Sequence, residues 1–89
     1  MIVYGPAAPG TSVLILVDGR PCKTAEAFDE PASATGQLWS TQVLAGECDA
    51  HVGSSITFAL NGAPTNEHLE WSAGGIPPDV AVGVSLTLR

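Results

Sequence analysis

The sequence predicts an all-β domain, an antiparallel sandwich of six to seven short strands. Apolar and polar residues alternate in several stretches, as they do in strands that place one face on a core. Ten glycines and seven prolines divide the 89 residues, and turn signals recur roughly every 8–12 residues. A chain of this length makes one domain with a thin core, so we expect a single domain over residues 1–89.

The chain begins with an extended segment, residues 1–11, which carries an edge strand at residues 2–4. The next strand contains five consecutive apolar residues, VLILV at positions 13–17. A strand with one wet face alternates, so this run raises the question of what covers its second face. We assign its odd-numbered residues to the core, which leaves Leu14 and Leu16 on the outer face.

A turn at Asp18-Gly19 leads into residues 21–28, PCKTAEAF. Alanine and glutamate favour a helix there, whereas proline, cysteine and threonine favour a strand. We choose a strand, because the turn joins it to a strong strand. Residues 29–36, DEPASATG, are interpreted as a loop.

Two further strands follow from alternation. Residues 36–46, GQLWSTQVLAG, form a strand between glycines, with Trp39, Thr41 and Val43 on its core face. Residues 74–79, GGIPPD, are a rigid connector, because proline cannot pair in a sheet. The stretch VAVGVSLTL then predicts one continuous strand over residues 80–88. The core face of this last strand would carry Val80, Val82, Val84, Leu86 and Leu88.

A strand pair is predicted between residues 56 and 71. Residues 56–60 alternate, and Asn61-Gly62 is a turn signal, because both residues tolerate positive φ. We expect residues 63–66 to lengthen this turn into a loop. In the return strand, Leu69 and Trp71 face inward, and the polar residues between and before them face outward.

The charge balance excludes several partners. Three basic residues stand against nine acidic ones, a net charge of −6, which repels nucleic acid and anionic lipid. The longest apolar run is too short to span a bilayer, so we expect no membrane insertion. Residues 1–4 lack the charged and apolar regions of a signal peptide. If the protein is exported, we expect this chain to be a mature form or an excised module.

The two cysteines, Cys22 and Cys48, predict a disulfide. An even count and a small core that needs a covalent staple support this pairing. The weaker alternatives are a metal site, for which only His51 lies nearby, and a catalytic thiol, which would need an electropositive pocket. A disulfide indicates an oxidising compartment, so we expect an extracellular or cell-surface location.

The motifs GPAAPGTSVLILVDGRPC, GQLWSTQVLAGEC and VGSSITFALNGAPTNEHLEWSAGG together resemble a family of bacterial extracellular modules. The pattern is similar to G-x-x-V-x-A-x-V-D-G-x-x-C, followed by a second cysteine, an I-x-F-x-x-N-G strand and a later tryptophan. It covers residues 5–75 and differs in Arg20-Pro21 before the first cysteine and Lys23 after it. The family is the carboxypeptidase-regulatory-like or transthyretin-like sandwich. This resemblance implies an immunoglobulin-like (prealbumin-like) fold and a non-catalytic accessory role, and it supplies no functional residues.

Candidate metal and catalytic residues form no pattern. His51 and His68 lie far apart in the sequence, and His68 shares a strand face with Glu70, a pair that supplies only two ligands. Glu47 and Asp49 lack the spacing of a calcium loop. No G-x-S-x-G elbow marks a nucleophile. We therefore expect no enzyme activity, no metal and no cofactor.

Carbohydrate is the alternative partner class. Trp39, Trp71 and Tyr4 would form a stacking platform for a sugar if the two indoles were exposed. Both tryptophans fall on faces assigned to the core, so we expect them inside. Exposed tryptophans would distinguish a carbohydrate-binding module from a structural or protein-interaction module.

Leu14 and Leu16 are the most informative surface residues. Each would contribute on the order of 1.5–3 kcal/mol if buried at a contact. Cover would come from residues 4–9, from a neighbouring module or from another copy of the chain, and unpaired edge strands offer a second route to association. The sequence predicts a non-catalytic structural or protein-interaction module of a secreted or cell-surface bacterial protein, which self-associates through a sheet face or edge strands.

Overall fold

The computed structural model describes residues 1–31 and 36–89, and it contains two antiparallel sheets. The strands are β1 (Ile2–Gly5), β2 (Ser12–Val17), β3 (Arg20–Glu26), β4 (Phe28–Asp29), β5 (Gln37–Gln42), β6 (Ser55–Leu60) and β7 (Ala63–Glu70). One sheet has the strand order β1-β5-β4 and the other has the order β3-β2-β6-β7. A single turn of 3-10 helix, Glu47–Asp49, lies between β5 and β6. With its Cys22–Cys48 disulfide, this architecture confirms the predicted all-β sandwich.

The two faces of β2 are as the two-residue period of a strand predicted. Val13, Ile15 and Val17 are fully buried, because they point at the opposite sheet. Leu14 and Leu16 are half-buried on the other face. The outer face of this sheet is therefore more apolar than a solvated strand requires.

Aromatic rings from both sheets meet in the core. Trp39 of β5 packs on Phe58 of β6, with ring centroids 5.5 Å apart, and both side chains are buried. Val43 and Trp71 are also buried, so the predicted core faces of these strands are confirmed. Thr41 is half-buried.

The segment after the first turn is a strand, as predicted. It forms β3 and then, after Ala27, continues into β4, where Phe28 pairs with Leu38 of the other sheet. The predicted loop at residues 29–36 is therefore wrong at Asp29, which belongs to β4. The rest of that loop includes residues 32–35, which lie outside the described residues.

The turn between β6 and β7 is shorter than predicted. Leu60 pairs directly with Ala63, so Asn61 and Gly62 alone form the connection. Both have positive φ, 47° and 86°, which matches the twist of a two-residue hairpin. The predicted loop at residues 63–66 is wrong, because the extra length is absorbed by an irregularity of register between Thr57 and Ala59.

The continuous C-terminal strand over residues 80–88 is also wrong. Gly83 has a φ of 86°, which breaks the extended backbone. Val84 is buried, whereas Val80 and Leu88 are 60% and 57% exposed. The segment pairs with strands only locally: Val84 N–H donates to Tyr4 O, and Leu88 forms an isolated bridge with Thr65.

Short segments close the two sides of the sandwich. On one side the C-terminal segment runs from β1, at Val84, to β7, where Asn66 N–H donates to Thr87 O. On the other side Lys23 of β3 donates from Nζ to Gln42 O of β5 at 2.5 Å. Both sheets are thereby joined at both sides without a shared strand ladder.

Candidate functional site

The surface that the sequence singled out is the outer face of the four-stranded sheet, meaning the side chains of β3, β2, β6 and β7 that point away from the core. Leu14 pairs in register with Ala59, and Leu16 pairs with Thr57. Two half-buried leucines on β2 thus stand directly beside two small residues on β6. We call Leu14 and Leu16 the leucine ridge.

A groove of about 280 Å³ runs along β6 on this face. The leucine ridge forms one wall, Thr57 and Ala59 form the floor, and Pro64 with Arg89 forms the other wall. Arg89 is held there because its Nε donates to Thr65 O at 3.0 Å and its backbone N–H donates to Pro64 O at 3.3 Å. The groove therefore combines apolar side chains with polar groups, and a guanidinium group lies on one side.

Charge is arranged unevenly on the outer face. Glu26 lies on it at the end of β3, opposite Ser12, and Glu70 lies on it at the end of β7, opposite Ser55. The centre, formed by the leucine ridge and the groove floor, carries no charged side chain. Depletion of charge at the centre of a patch is typical of interface cores.

The N-terminal segment does not cover the leucine ridge. Ala7 packs against the hydrophobic core, and Gly5 lies against the backbone of Val84. None of residues 4–9 lines the groove. Three kinds of cover for the leucine ridge were expected: residues 4–9, a neighbouring module or another copy of the chain. Cover by residues 4–9 is therefore ruled out.

The structure does not form the sugar platform. Trp39 has no exposed surface and Trp71 is 3% exposed, so neither indole offers a face for stacking. Trp71 Nε1 donates to Val43 O at 2.9 Å. Tyr4 is half-buried, and its hydroxyl donates to Val80 O at 2.6 Å. The three aromatic residues hold the fold together and do not share an exposed surface.

The cysteines form the predicted disulfide, and a β-bulge directs one of them to it. Ile15 pairs with Lys23 and Leu16 pairs with Pro21, so Cys22 is the extra residue of a bulge. A bulge re-aims a side chain, and Cys22 packs against the core edge, where it meets Cys48. The sulfurs belong to a structural bond, and the described residues include no free cysteine.

Ion pairs flank the disulfide. Lys23 Nζ lies 2.8 Å from Glu47 Oε2, and Arg20 lies 3.7 Å from Asp49. The Lys23 side chain lowers the pKa of Glu47, chiefly by its hydrogen bond, and the Leu44 N–H adds to this. Glu47 and Asp49 thus help to fasten the 3-10 turn to β3.

A serine, a histidine and an aspartate meet at the end of the sandwich near the first turn. Ser54 Oγ lies 3.1 Å from His51 Nδ1, and Asp18 Oδ1 accepts from Ser55 N–H at 2.9 Å. That backbone bond is the main reason why the pKa of Asp18 is lowered, with the Ser54 hydroxyl and the His51 and Arg20 charges adding to it. Ser54 is 1% exposed, so its hydroxyl is not available to a substrate.

A second, open crevice of about 390 Å³ lies between β7 and the C-terminal segment. Its carboxylates, Glu67 and Asp79, are already held by backbone N–H groups of Thr87 and of residues 81 and 82. Burial raises the pKa of Glu67, but the hydroxyl and N–H of Thr87 outweigh it and lower the pKa overall. Within residues 1–31 and 36–89, no group of three or more metal-ligating side chains occurs.

The sequence pattern located the leucine ridge but missed the groove beside it. The groove depends on the pairing of β2 with β6, which sets Ala59 and Thr57 level with the leucines. Arg89 reaches this face only through its contacts with Pro64 and Thr65. Alternation within one strand carries no signal for either relationship.

In the described part of the chain, no helix has the length and apolar character needed to cross a bilayer. The chain matches no protein-family model, no curated protein and no solved structure. The likeness to bacterial extracellular sandwich modules therefore stays a resemblance of motifs.

Proposed function

We propose that this chain is a non-catalytic protein-interaction module of a secreted or cell-surface protein, and that it self-associates through the outer face of its four-stranded sheet. The observation that carries the proposal is the leucine ridge, which is half-buried at the centre of that face beside the small, uncharged residues Ala59 and Thr57. Burial of Leu14 and Leu16 at a contact would contribute on the order of 1.5–3 kcal/mol each, before the costs of binding.

Charge supports a second copy of the chain as the partner. The chain carries a net charge of −6, so two copies repel each other over most of their surfaces. The outer face is an exception, because Glu26 and Glu70 lie at its ends and its centre is neutral. Two copies that meet there bury apolar surface without bringing like charges into the centre of the contact.

The disulfide supports the proposed location. A bond between Cys22 and Cys48 forms and persists in oxidising compartments. The domain is small, and its core needs a covalent staple, which is typical of exported modules. This chemistry supports a secreted or cell-surface role, and the resemblance of motifs points the same way.

The test is the absolute mass in solution, measured by size-exclusion chromatography with light scattering over a concentration series without reductant. We expect a dimer or larger species that grows with concentration. Replacing both leucines, Leu14→Ser with Leu16→Ser, should return the chain to a monomer. Val52→Ser is the matched control, because Val52 is a 74% exposed apolar residue that lies outside the four strands of this sheet.

A wild-type monomer at every concentration would rule out self-association. Association that survives the double leucine change, or that is lost equally in the Val52 control, would rule out the outer face. The edge strands would then be the remaining route to assembly.

A further inference from the structure

The leucine ridge and the groove lie side by side on one face. Leu14 stands level with Ala59, and Leu16 stands level with Thr57, on neighbouring antiparallel strands. A surface with a ridge next to a matching groove can pair with itself if the two copies are turned so that each ridge meets the other groove. A pairing of this kind rests on the self-association proposed as the function of the chain.

We propose that two copies of the chain pack these faces together about a two-fold axis parallel to the strands, midway between β2 and β6. Rotation about such an axis places β2 of one copy over β6 of the other. Each residue keeps its height along the strand direction. Leu14 of one copy then lies over Ala59 of the second copy, and Leu16 lies over Thr57. Each leucine ridge fills the groove of the other copy.

A two-fold axis across the strands gives a poorer contact. It would stack the leucine ridge of one copy on the leucine ridge of the other, and it would leave the two grooves facing each other as voids. Voids weaken an interface, so the axis parallel to the strands is favoured.

The same axis brings opposite charges together at the rim. It places β3 of one copy over β7 of the other, where Arg89 lies beside Pro64. Pro64 lies at the same height along the strands as Thr24. Pro64 pairs with Ala59, and Ala59 pairs with Leu14. Leu14 in turn pairs with Thr24. Glu26 lies two residues along β3, about 7 Å away, within reach of a long arginine side chain. Among residues 1–31 and 36–89, the ion pairs involve neither Glu26 nor Arg89.

The size of the face sets the expected affinity. Four strands about 4.8 Å apart and about six residues long give roughly 400 Å² per copy, or about 800 Å² in total. That lies at the weak, transient end of protein interfaces. We therefore expect dimerisation in the micromolar range or above, and the measurement should extend to about 1 mM.

The test is charge exchange between two variants. Alone, Arg89→Glu and Glu26→Arg should each raise the dissociation constant about tenfold or more, because each places two pairs of like charges at the rim. Mixed in equal amounts, they should form a heterodimer of near wild-type affinity, since both rim contacts then join opposite charges. Glu70→Arg is the matched control, because it makes the same charge change at the other end of the face.

A second variant tests the ridge and groove directly. Ala59→Leu places a larger side chain in the open groove of its own copy, so the partner's leucines are excluded and the chain should be monomeric. Circular dichroism and an unchanged unfolding midpoint would show that the variant is folded.

Each outcome decides the arrangement. A dimer that is indifferent to the charge exchange or to Ala59→Leu would overturn the arrangement and leave self-association standing. The mixture of Arg89→Glu with Glu70→Arg gives a further outcome. If this mixture recovers the wild-type affinity and the mixture with Glu26→Arg does not, the two-fold axis runs across the strands. A wild-type monomer throughout would remove both the arrangement and the proposed function.

Discussion

The carbonyl oxygen of Tyr4 accepts a hydrogen bond from Val84 N–H at 2.8 Å, and Gly83 packs against the same carbonyl group. This contact ties the C-terminal segment to the edge strand β1. Gly83 has a φ of 86°, and a methyl group added to its Cα would overlap Tyr4 O. The close approach of the two backbones therefore requires glycine at this position.

Gly83→Ala should destabilise the fold by about 3 kcal/mol or more, because it combines a positive φ with a backbone overlap. Gly10→Ala is the control, since Gly10 has a φ of 84° with open space around it. The control should cost only about 1–2 kcal/mol, the strain of the left-handed conformation. Urea unfolding of both variants measures the difference, and equal losses would show that the Tyr4 contact contributes nothing.

Loss of the disulfide should lower the free energy of unfolding by about 3–4 kcal/mol in the chain-entropy model, because the bond joins residues 26 positions apart. The double change Cys22→Ala with Cys48→Ala should match the reduced wild type in urea unfolding. The variant should not respond to reductant. A wild type whose unfolding midpoint is unchanged by full reduction would contradict the stapling role.

The two buried tryptophans should differ when each is replaced by phenylalanine. Trp71 Nε1 donates to Val43 O, whereas Trp39 Nε1 is buried without a hydrogen-bond partner. Both substitutions remove similar volume, but only Trp71→Phe deletes a hydrogen bond. Trp71→Phe should therefore be about 1–3 kcal/mol more destabilising than Trp39→Phe. Urea unfolding measures both, and a larger loss for Trp39→Phe would contradict the assignment.

Stability should fall in acid. The folded pKa values of Asp18, Glu47 and Glu67 lie below their ordinary values of 3.8, 4.5 and 4.5, so folding favours the ionised carboxylates. Their contribution is fully present above about pH 4.5 and is lost as the pH falls through the lowered values. The urea midpoint, measured from about pH 7 to about pH 3, should drop within this range.

Glu67→Gln isolates one of these three carboxylates. Thr87 donates to both carboxylate oxygens, from its N–H at 2.7 Å and its hydroxyl at 2.5 Å, and an amide offers only one acceptor oxygen. The variant should be less stable at neutral pH and should lose less stability in acid than the wild type. An unchanged acid response would show that this carboxylate does not contribute.

Alternation predicted the core because burial on one face leaves a local mark in the sequence. The odd-numbered residues of β2 and the indoles of Trp39 and Trp71 are buried as expected. The Cys22–Cys48 bond followed from composition and the size of the chain. These properties belong to single strands or to the chain as a whole, so they can be read without knowing which strands are neighbours.

Contacts between segments that are distant in the sequence produced no local pattern from which they could be predicted. The residues from 80 to 88 alternate like a strand, yet Gly83 breaks the extended backbone where the segment leaves β1 for β7. Asp29 pairs in β4 only because the chain switches sheets after Ala27. Arg89 joins the groove through the backbone of Pro64 and Thr65. Each depends on a tertiary contact that overrides the local pattern.

The backbone hydrogen bond between residues 4 and 84 also affects the rate of folding. A contact between positions so distant in sequence carries a large loop-closure cost and slows folding. During synthesis, β1 has no final edge neighbour until residue 84 has emerged. Completion of the sandwich is therefore a late event, because the three-stranded sheet gains this edge contact only after residue 84 has been made.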